Sequence, residues 1–379
     1  MDGVVMGEPL LIQLALQAGR PLMNVIEQFY LKTSRHKRFN NLVQFKYSQL
    51  ESDMKDKFVQ QCRGLILDEA NNWKVIARPF DKFFNYGEGS AATIDWNSAK
   101  VFEKLDGSLI IMYYYDGWRV ATSGCCDASG SVGASNQTFE ELFWKIFMDK
   151  GFVTPSPVCQ NYTYMFELCT PLNRVVVDYG KSDLRLIGIR QRVTGMEIDI
   201  SNSKHFDPVQ KFDLHSMEDL MLTLDEMEPL KQEGYVVVDG NYNRIKVKHP
   251  GYVALHHMKS HFSVRYMVDL VRRAELAEVI AYFPEWSDIL FSVKDSFDAL
   301  VKEIDQTYDL YKDIAEQKAF AQAVIKCRYS GVLFCLRNGK ATSTRAFLKD
   351  MHIDTLIHLM GVKDSLEKLI QSSNLLKIA

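Results

Sequence analysis

The chain has 379 residues, 47% of them hydrophobic and 25% charged, with a formal net charge of -3. That length suits two domains, and the composition is that of a folded globular protein rather than a disordered or fibrous one. The near-neutral balance excludes nucleic-acid binding through the overall field, so such binding needs local basic surface. The longest apolar runs, such as Gly331 to Leu336, fall far short of the roughly 18 residues of a spanning helix, so no membrane role is indicated. Seven cysteines (62, 125, 126, 159, 169, 327 and 335) without metal-ligand spacing, and a start lacking a charged and an apolar leader region, predict reduced thiols. The expected location is cytoplasmic or otherwise intracellular and reducing.

From Leu10 to Leu31, apolar residues at helical spacing (Leu11, Leu14, Ala15 and, after Pro21, Val25, Ile26, Phe29) predict two short amphipathic helices. Lys32 to Arg38 gathers basic charge in a predicted loop, either solvated or facing phosphate. Strand patterns follow at Leu42 to Tyr47, Cys62 to Asp68 and Trp73 to Phe80. Arg63 flanks an apolar run, where a charge needs a partner; Asp68 and a triphosphate are the two candidates, guanidinium being suited to bidentate phosphate contact. Phe80 to Tyr86 sets Lys82 among four aromatics, the pattern of a core edge with a snorkelling lysine.

The stretch Phe102-Glu103-Lys104-Leu105-Asp106-Gly107-Ser108 leads into the apolar run Leu109 to Tyr115. Lys-x-Asp-Gly reads as a turn between strands, or as a lysine nucleophile that attacks the α-phosphate of a nucleoside triphosphate. Trp118 to Ser123 predicts a strand, Gly124 to Ser135 a loop, and Thr138 to Lys150 a helix with Thr138 as N-cap. Tyr162 to Leu168 is a predicted strand with Glu167 in apolar surroundings; Arg174 to Asp178 and Leu184 to Arg190 are two more. Lys204 to Met227 reads as helix and loop. Glu233 to Gly240 and Arg244 to Lys248 have hairpin spacing, and the period of two puts Lys246 and Lys248 on one face. Solvent or a shared anion relieves that repulsion.

Beyond Leu255 helical periodicity takes over, in Tyr266 to Ala281, Trp286 to Lys318, Phe320 to Leu336 and from Ala346 onward. The predicted boundary gives an α+β domain over 1–255 and an all-α domain over 256–379. Lys326, Arg328, Arg337, Lys340, Arg345 and Lys349 occur with no acid between Lys326 and Lys349, either a solvated face or a nucleic-acid handle.

Arg63, Lys82, Lys104, Glu167, Glu233, Lys246 and Lys248 share one chemical reading. An amine nucleophile has to be deprotonated although an unperturbed lysine has a pKa of ~10.4; neighbouring cations and a divalent metal favour that. Lys246 and Lys248 supply the cationic field and neutralise charge on the α-phosphate. Glu167 and Glu233 offer hard oxygen ligands to Mg²⁺. Arg63 and Lys82 grip the β- and γ-phosphates so that displacement is in line.

With these residues the chain resembles the covalent nucleotidyltransferases, and within them the RNA ligase 1 family of T-even phages. Lys104 to Ser108 resembles the nucleophile motif, Phe166-Glu167 the third, Glu233 to Val236 the fourth and Lys246-Val247-Lys248 the fifth. Cys62-Arg63-Gly64, Arg78-Pro79-x-x-Lys82-Phe83-Phe84-Asn85, Asn173 to Val176 and Tyr252-Val253-x-Leu255-His256 carry the narrower resemblance, which covers about residues 40 to 260. It implies a nucleotidyltransferase (ATP-grasp-like ligase) domain of antiparallel sheets with flanking helices. It also implies an activity: Lys104 takes AMP from ATP, passes it to an RNA 5′-phosphate, and a 3′-hydroxyl then displaces AMP. Asp106 is implied to bind the ribose and orient the site, Tyr252 to act in the RNA steps, Glu103 and Gly107 to line the nucleotide, Glu167 to serve the nucleotide and the metal, and Glu233 and Glu275 to ligate metal. Phe45 and Tyr47 are both candidates for the ring on the nucleotide, since Phe45-Lys46-Tyr47 stands where relatives carry Tyr-x-Tyr. Thr122-Ser123-Gly124 stands where they usually carry a lysine or arginine. The implied partner is RNA, including nicked tRNA, with an end-healing kinase-phosphatase beside it; a viral origin is compatible with this. A DNA ligase or capping guanylyltransferase, which normally carries an OB-fold barrel after the fifth motif, and a non-catalytic RNA-binding module are the alternatives.

Overall fold

Helices α1 (Leu11–Gln17) and α2 (Leu22–Phe29) form where the apolar spacing predicts them. The computed structural model describes residues 10–133, 135–201, 203–253, 263–282 and 284–362. The chain divides into two compact units, Met1–Ser48 with Ser52–His256 and Gln49–Glu51 with His257–Ala379. The boundary predicted near residue 255, the motif residues Leu255 and His256, and the end of the last predicted helix lie outside the described residues.

The first unit is α+β. Its first sheet runs β1 (Leu31–Arg35), β2 (Leu42–Tyr47), β3 (Arg63–Asp68), β4 (Lys74–Ala77), antiparallel throughout. Lys32 to Arg35 is therefore an edge strand and not the predicted loop. Its outward charges blunt that edge, and Arg35 pairs with Glu69 at 2.7 Å. One face of this sheet buries Val43, Phe45, Leu65 and Leu67 against Ile12, Leu16 and Val25 of the two helices and against Phe58 of α3 (Lys57–Gln60). The other face sets Leu42, Ile66 and Ala77 on Ile111, Tyr113 and Ala121 of the second sheet.

After β5 (Phe84–Asn85) and β6 (Lys100–Lys104) come β7 (Ser108–Tyr114) and β8 (Trp118–Thr122), then α4 (Phe139–Asp149), β9 (Tyr162–Cys169), β10 (Asp183–Gln191) and β11 (Glu197–Ile198). Thr138 and Glu141 form the capping box of α4, which satisfies two backbone donors at its start. The second sheet has the order β11-β10-β9-β7-β8, and its far face buries Ile110, Phe166, Leu168 and Leu186 against Phe143 and Phe147 of α4.

The third sheet adds β12 (Lys211–Phe212), β13 (Gly234–Val238) and β14 (Arg244–Lys248) in the order β12-β6-β13-β14-β5; only β14 with β5 is parallel. Val101, Tyr235, Val237, Ile245 and Val247 fill one face against Leu220 and Leu224 of α5 (Met217–Asp225). The period of two leaves Lys104, Gly234, Val236, Lys246 and Lys248 on the other.

Arg174 to Asp178, predicted as a strand, is irregular. The amides of Val176 and Val177 both donate to Asp106 Oδ2 at 2.8 Å, so they are spent on a carboxylate instead of a ladder.

The second unit is helical in its described part: Val264–Arg273, Leu276–Tyr282, Ser287–Tyr311, Gln317–Val324, Ser330–Arg337, Thr344–Asp350 and Ile353–Met360. The first predicted helix breaks at Ala274, whose φ of 58° is left-handed. Met267, Leu290, Val293, Phe297, Phe320, Leu333 and Leu356 build its core. The basic stretch from Lys326 to Lys349 meets acids from the long helix Ser287–Tyr311: Arg328 pairs with Glu303 at 2.6 Å and Arg345 with Asp298 at 2.5 Å. Among the described residues no helix is long and apolar enough to cross a membrane, and all seven cysteines are free.

Candidate active site

Strand register builds the centre of the site. Gly234 on β13 lies opposite Lys104 on β6 and opposite Lys248 on β14, so the three form one row across adjacent strands. Gly234 has a φ of +146°, and a Cβ added there would meet the Val247 carbonyl oxygen at 2.1 Å. Only glycine fits, because the place of its side chain is taken by the Val247 and Lys248 backbone of β14. Glu233, 3% exposed, bridges the row: Oε2 takes the Lys104 ammonium at 2.5 Å and Oε1 lies 3.2 Å from Lys248 Nζ. One carboxylate thus holds both cations.

The second acid comes from the second sheet. Glu167 on β9 lies opposite Leu109 and accepts the Gly107 amide at 3.2 Å. Burial pushes its carboxyl up from 4.5 to about 7; Lys104 and Arg63 pull it down and Glu233 pushes it up. Its side chain is ringed by protein although its edge still reaches solvent. The folded chain therefore binds a proton that the unfolded chain has released, and stability falls as pH rises from 4.5 towards 7. In EDTA, urea unfolding should show Glu167→Gln gaining ~2 kcal/mol on the native chain from about pH 5 to about pH 8. Parallel pH profiles would contradict this account of Glu167.

Arg63 reaches the site through a bulge. Register slips between Phe45/Leu65 and Lys46/Arg63, with Gly64 as the extra residue at a φ of +91°. A regular strand would send Arg63 into the core beside Leu65; the bulge turns it to the opposite face. Asp68, one candidate partner, is instead occupied by Asn41 at 2.7 Å and the Tyr115 hydroxyl at 3.3 Å. Arg63 Nη1 is buried with no hydrogen-bond partner among the described residues, and its Cζ lies 5.5 Å from the Phe83 ring. Lys246 Nζ is 5.7 Å from the same ring, and Lys82 Nζ sits 5.7 Å from the Tyr47 ring and 5.2 Å from that of Phe84. Aromatic faces hold these cations without neutralising them. Asp81 nearby is taken by Arg190 at 2.8 Å.

Four of the expected residues have surroundings that bear on their roles. Phe45 is fully buried in the core against Trp73, so of the two rings only Tyr47 is available to a ligand. Glu103 lies opposite Tyr235 and projects from the other face of β6 than Lys104; burial raises its carboxyl. Asp106 has both oxygens engaged, Oδ2 by the two valine amides and Oδ1 by the Tyr252 hydroxyl at 2.7 Å. It clamps the loop, with Tyr252, 2% exposed, inside that clamp. Glu275 stands at the break after Ala274, lining a cavity with Arg272, Arg273 and Lys349. No group of three metal-binding side chains is found among the described residues. The Tyr179 hydroxyl, which accepts the Asp106 amide at 2.7 Å, had no signal in the sequence; the bulge at Gly64 did, in Arg-Gly beside an apolar run.

A half-buried amine with Lys248 across a glycine and Lys246 further along the same face, and a buried guanidinium donor left open, suit a polyphosphate. A family model described as RNA ligase matches residues 61–252. The RNA ligase of Rhodothermus phage RM378 is 28% identical over 324 residues, covering 68% of this chain and 73% of that protein. A putative bifunctional polynucleotide kinase/RNA ligase of Autographa californica nuclear polyhedrosis virus is 27% identical over 308 residues, covering 76% of this chain but only 44% of that protein. Among solved structures, an archaeal ATP-dependent RNA ligase aligns with 95% of this chain and 98% of its own at 12% identity and a TM-score of 0.47. A mutant Naegleria gruberi RNA ligase with ATP and Mn aligns with 42% and 51% at 16% identity and a TM-score of 0.31.

Proposed function

The chain belongs to the RNA ligase family, and from that premise we propose that it joins RNA 5′-phosphate and 3′-hydroxyl ends at the expense of ATP, with Lys104 as the nucleophile. The row Lys104, Gly234, Lys248 bridged by Glu233 is the observation that carries this reading.

In the first step the Lys104 amine attacks the α-phosphorus; a P–N bond forms and the P–O bond to pyrophosphate breaks. Glu233 Oε2, at 2.5 Å, is the atom placed to take the ammonium proton. Lys246 and Lys248 face the charge that builds on the α-phosphate, while Arg63 and Lys82 hold the departing pyrophosphate opposite Nζ. An oxygen of the RNA 5′-phosphate then attacks the same phosphorus and releases the amine, and a 3′-hydroxyl oxygen finally attacks the RNA 5′-phosphorus and releases AMP. Tyr47 is the ring assigned to the nucleotide. Asp106 acts through the 174–177 loop and Tyr252. Two carboxylates, one of them raised by burial, and the substrate's phosphates suit a hard divalent cation, so Glu167 and Glu233 are the residues that would hold Mg²⁺. When bound, it would draw off phosphate charge.

We assign adenylyl transfer to residues 1–255 and recognition of a structured RNA, such as a nicked tRNA in repair, to 256–379. An end-healing kinase-phosphatase is the proposed partner; the baculovirus relative carries a kinase in its own name. We place the protein inside the cell, in keeping with its free cysteines. The described residues beyond 262 contain helices and no strand, which disfavours the barrel-bearing DNA ligase and capping alternatives. With ATP and Mg²⁺, the label of 5′-labelled RNA should become resistant to phosphatase, and that of the matching DNA far less so. Label that stays phosphatase-sensitive at every ATP concentration would overturn the proposal.

A further inference from the structure

We propose that Lys46 is a triphosphate-binding residue, which together with Arg63 grips the pyrophosphate end of the nucleotide. This rests on the ligase reading above. Lys46 and Arg63 are direct partners in the β2–β3 register, and partners across antiparallel strands project from one face with Cβ atoms about 5 Å apart. The bulge at Gly64 creates this pairing: without it Lys46 would face a different residue and Arg63 would face the core. The two cations are therefore placed side by side, within reach of one ligand.

The neighbouring strand end is shaped for the same lysine. Gln44, two residues earlier on the same face, donates to the Thr122 carbonyl at 2.7 Å, which fixes β2 against the end of β8. The Lys46 stem then runs over Gly124: a Cβ added to that glycine would lie 3.1 Å from Nζ and 3.4 Å from Cδ. A Cβ on Gly64 would lie 3.5 Å from Ser123 Cα. Lys46, the Arg63 bulge and the Ser123-Gly124 step therefore meet at one place. The buried, unpartnered Nη1 of Arg63 is the independent sign that a ligand belongs there. A phosphate, with several charged oxygens, has acceptors for Arg63 Nη1 and for the Lys46 ammonium beside it.

The test follows lysyl-AMP formation against ATP concentration in the full chain. Lys46→Met should raise the KM for ATP about 10- to 100-fold, the scale of one charge-assisted contact, with kcat changed far less, and Lys46→Arg should restore most of it. Gly124→Val, which displaces the ammonium, should raise KM in the same direction, and the double variant should be no worse than Lys46→Met alone. Sealing of RNA already carrying a 5′-adenylate, which needs no triphosphate, should stay within about twofold of the native chain. A KM for Lys46→Met within twofold of native overturns the proposal. Equal loss of adenylylation and of sealing pre-adenylated RNA also overturns it, and assigns Lys46 to an RNA phosphate. If the native chain forms no lysyl-AMP, the ligase reading fails and this proposal with it; native labelling with an indifferent Lys46 sinks this proposal alone.

Discussion

Lys104→Ala should lose joining of 5′-phosphorylated RNA by about a thousandfold or more, yet it should still seal RNA supplied with a 5′-adenylate. In the proposed mechanism the amine is used only in forming and passing on the lysyl adenylate; in the last step a hydroxyl attacks and AMP leaves without it. The ion pair with Glu233 at 2.5 Å makes Lys104 structural as well, since its removal leaves a buried carboxylate with Lys248 as the remaining cation of the row. Sealing of adenylated RNA is therefore also the control for a folded site. Equal loss of both reactions in a variant with unchanged thermal unfolding would contradict the role given to Lys104.

Gly234→Ala should be nearly as severe, although it removes no functional group. The added Cβ would fall 2.1 Å from the Val247 carbonyl oxygen and 2.8 Å from Lys248 Cα, at a φ of +146°. These are backbone atoms, so β13 and β14 must separate or shift. We expect a loss of ~3 kcal/mol in unfolding free energy. A displacement of the order of 1 Å between Lys104 and Lys248 should cost about 100-fold or more in adenylylation. Urea unfolding and ATP labelling measure the two effects. A variant that is as stable and as active as the native chain would show that the row does not need glycine at its centre.

Strand periodicity made much of this site legible. Lys246 and Lys248 share a face because side chains alternate, whereas Asp106-Gly107 is not the hairpin turn that Asp-Gly suggests. It links β6 of the third sheet to β7 of the second, and Gly107 is needed because a Cβ there would meet the Leu168 carbonyl oxygen at 2.6 Å. What alternation could not show is where register slips. Arg63 reaches the site through a bulge at Gly64, and Phe45 is spent in the core because the strand's apolar face needs it. Asp106 has partners within the chain that the sequence did not show. A carboxylate near a nucleophile reads as a ligand contact, and nothing in the linear chain announces that two amides some 70 residues away, Val176 and Val177, will claim it. The same limit applies to the basic run after Lys326, whose acids Asp298 and Glu303 belong to another helix.

The claim on which all else depends is a covalent bond between Lys104 and AMP. After bound AMP is removed, incubation with Mg²⁺ and ATP labelled at the α-phosphate should leave label on the denatured chain. That label should be acid-labile, absent with α-labelled GTP or γ-labelled ATP, and absent in Lys104→Ala. A native chain that stays unlabelled, or a Lys104→Ala chain that takes the label as the native one does, would contradict the account.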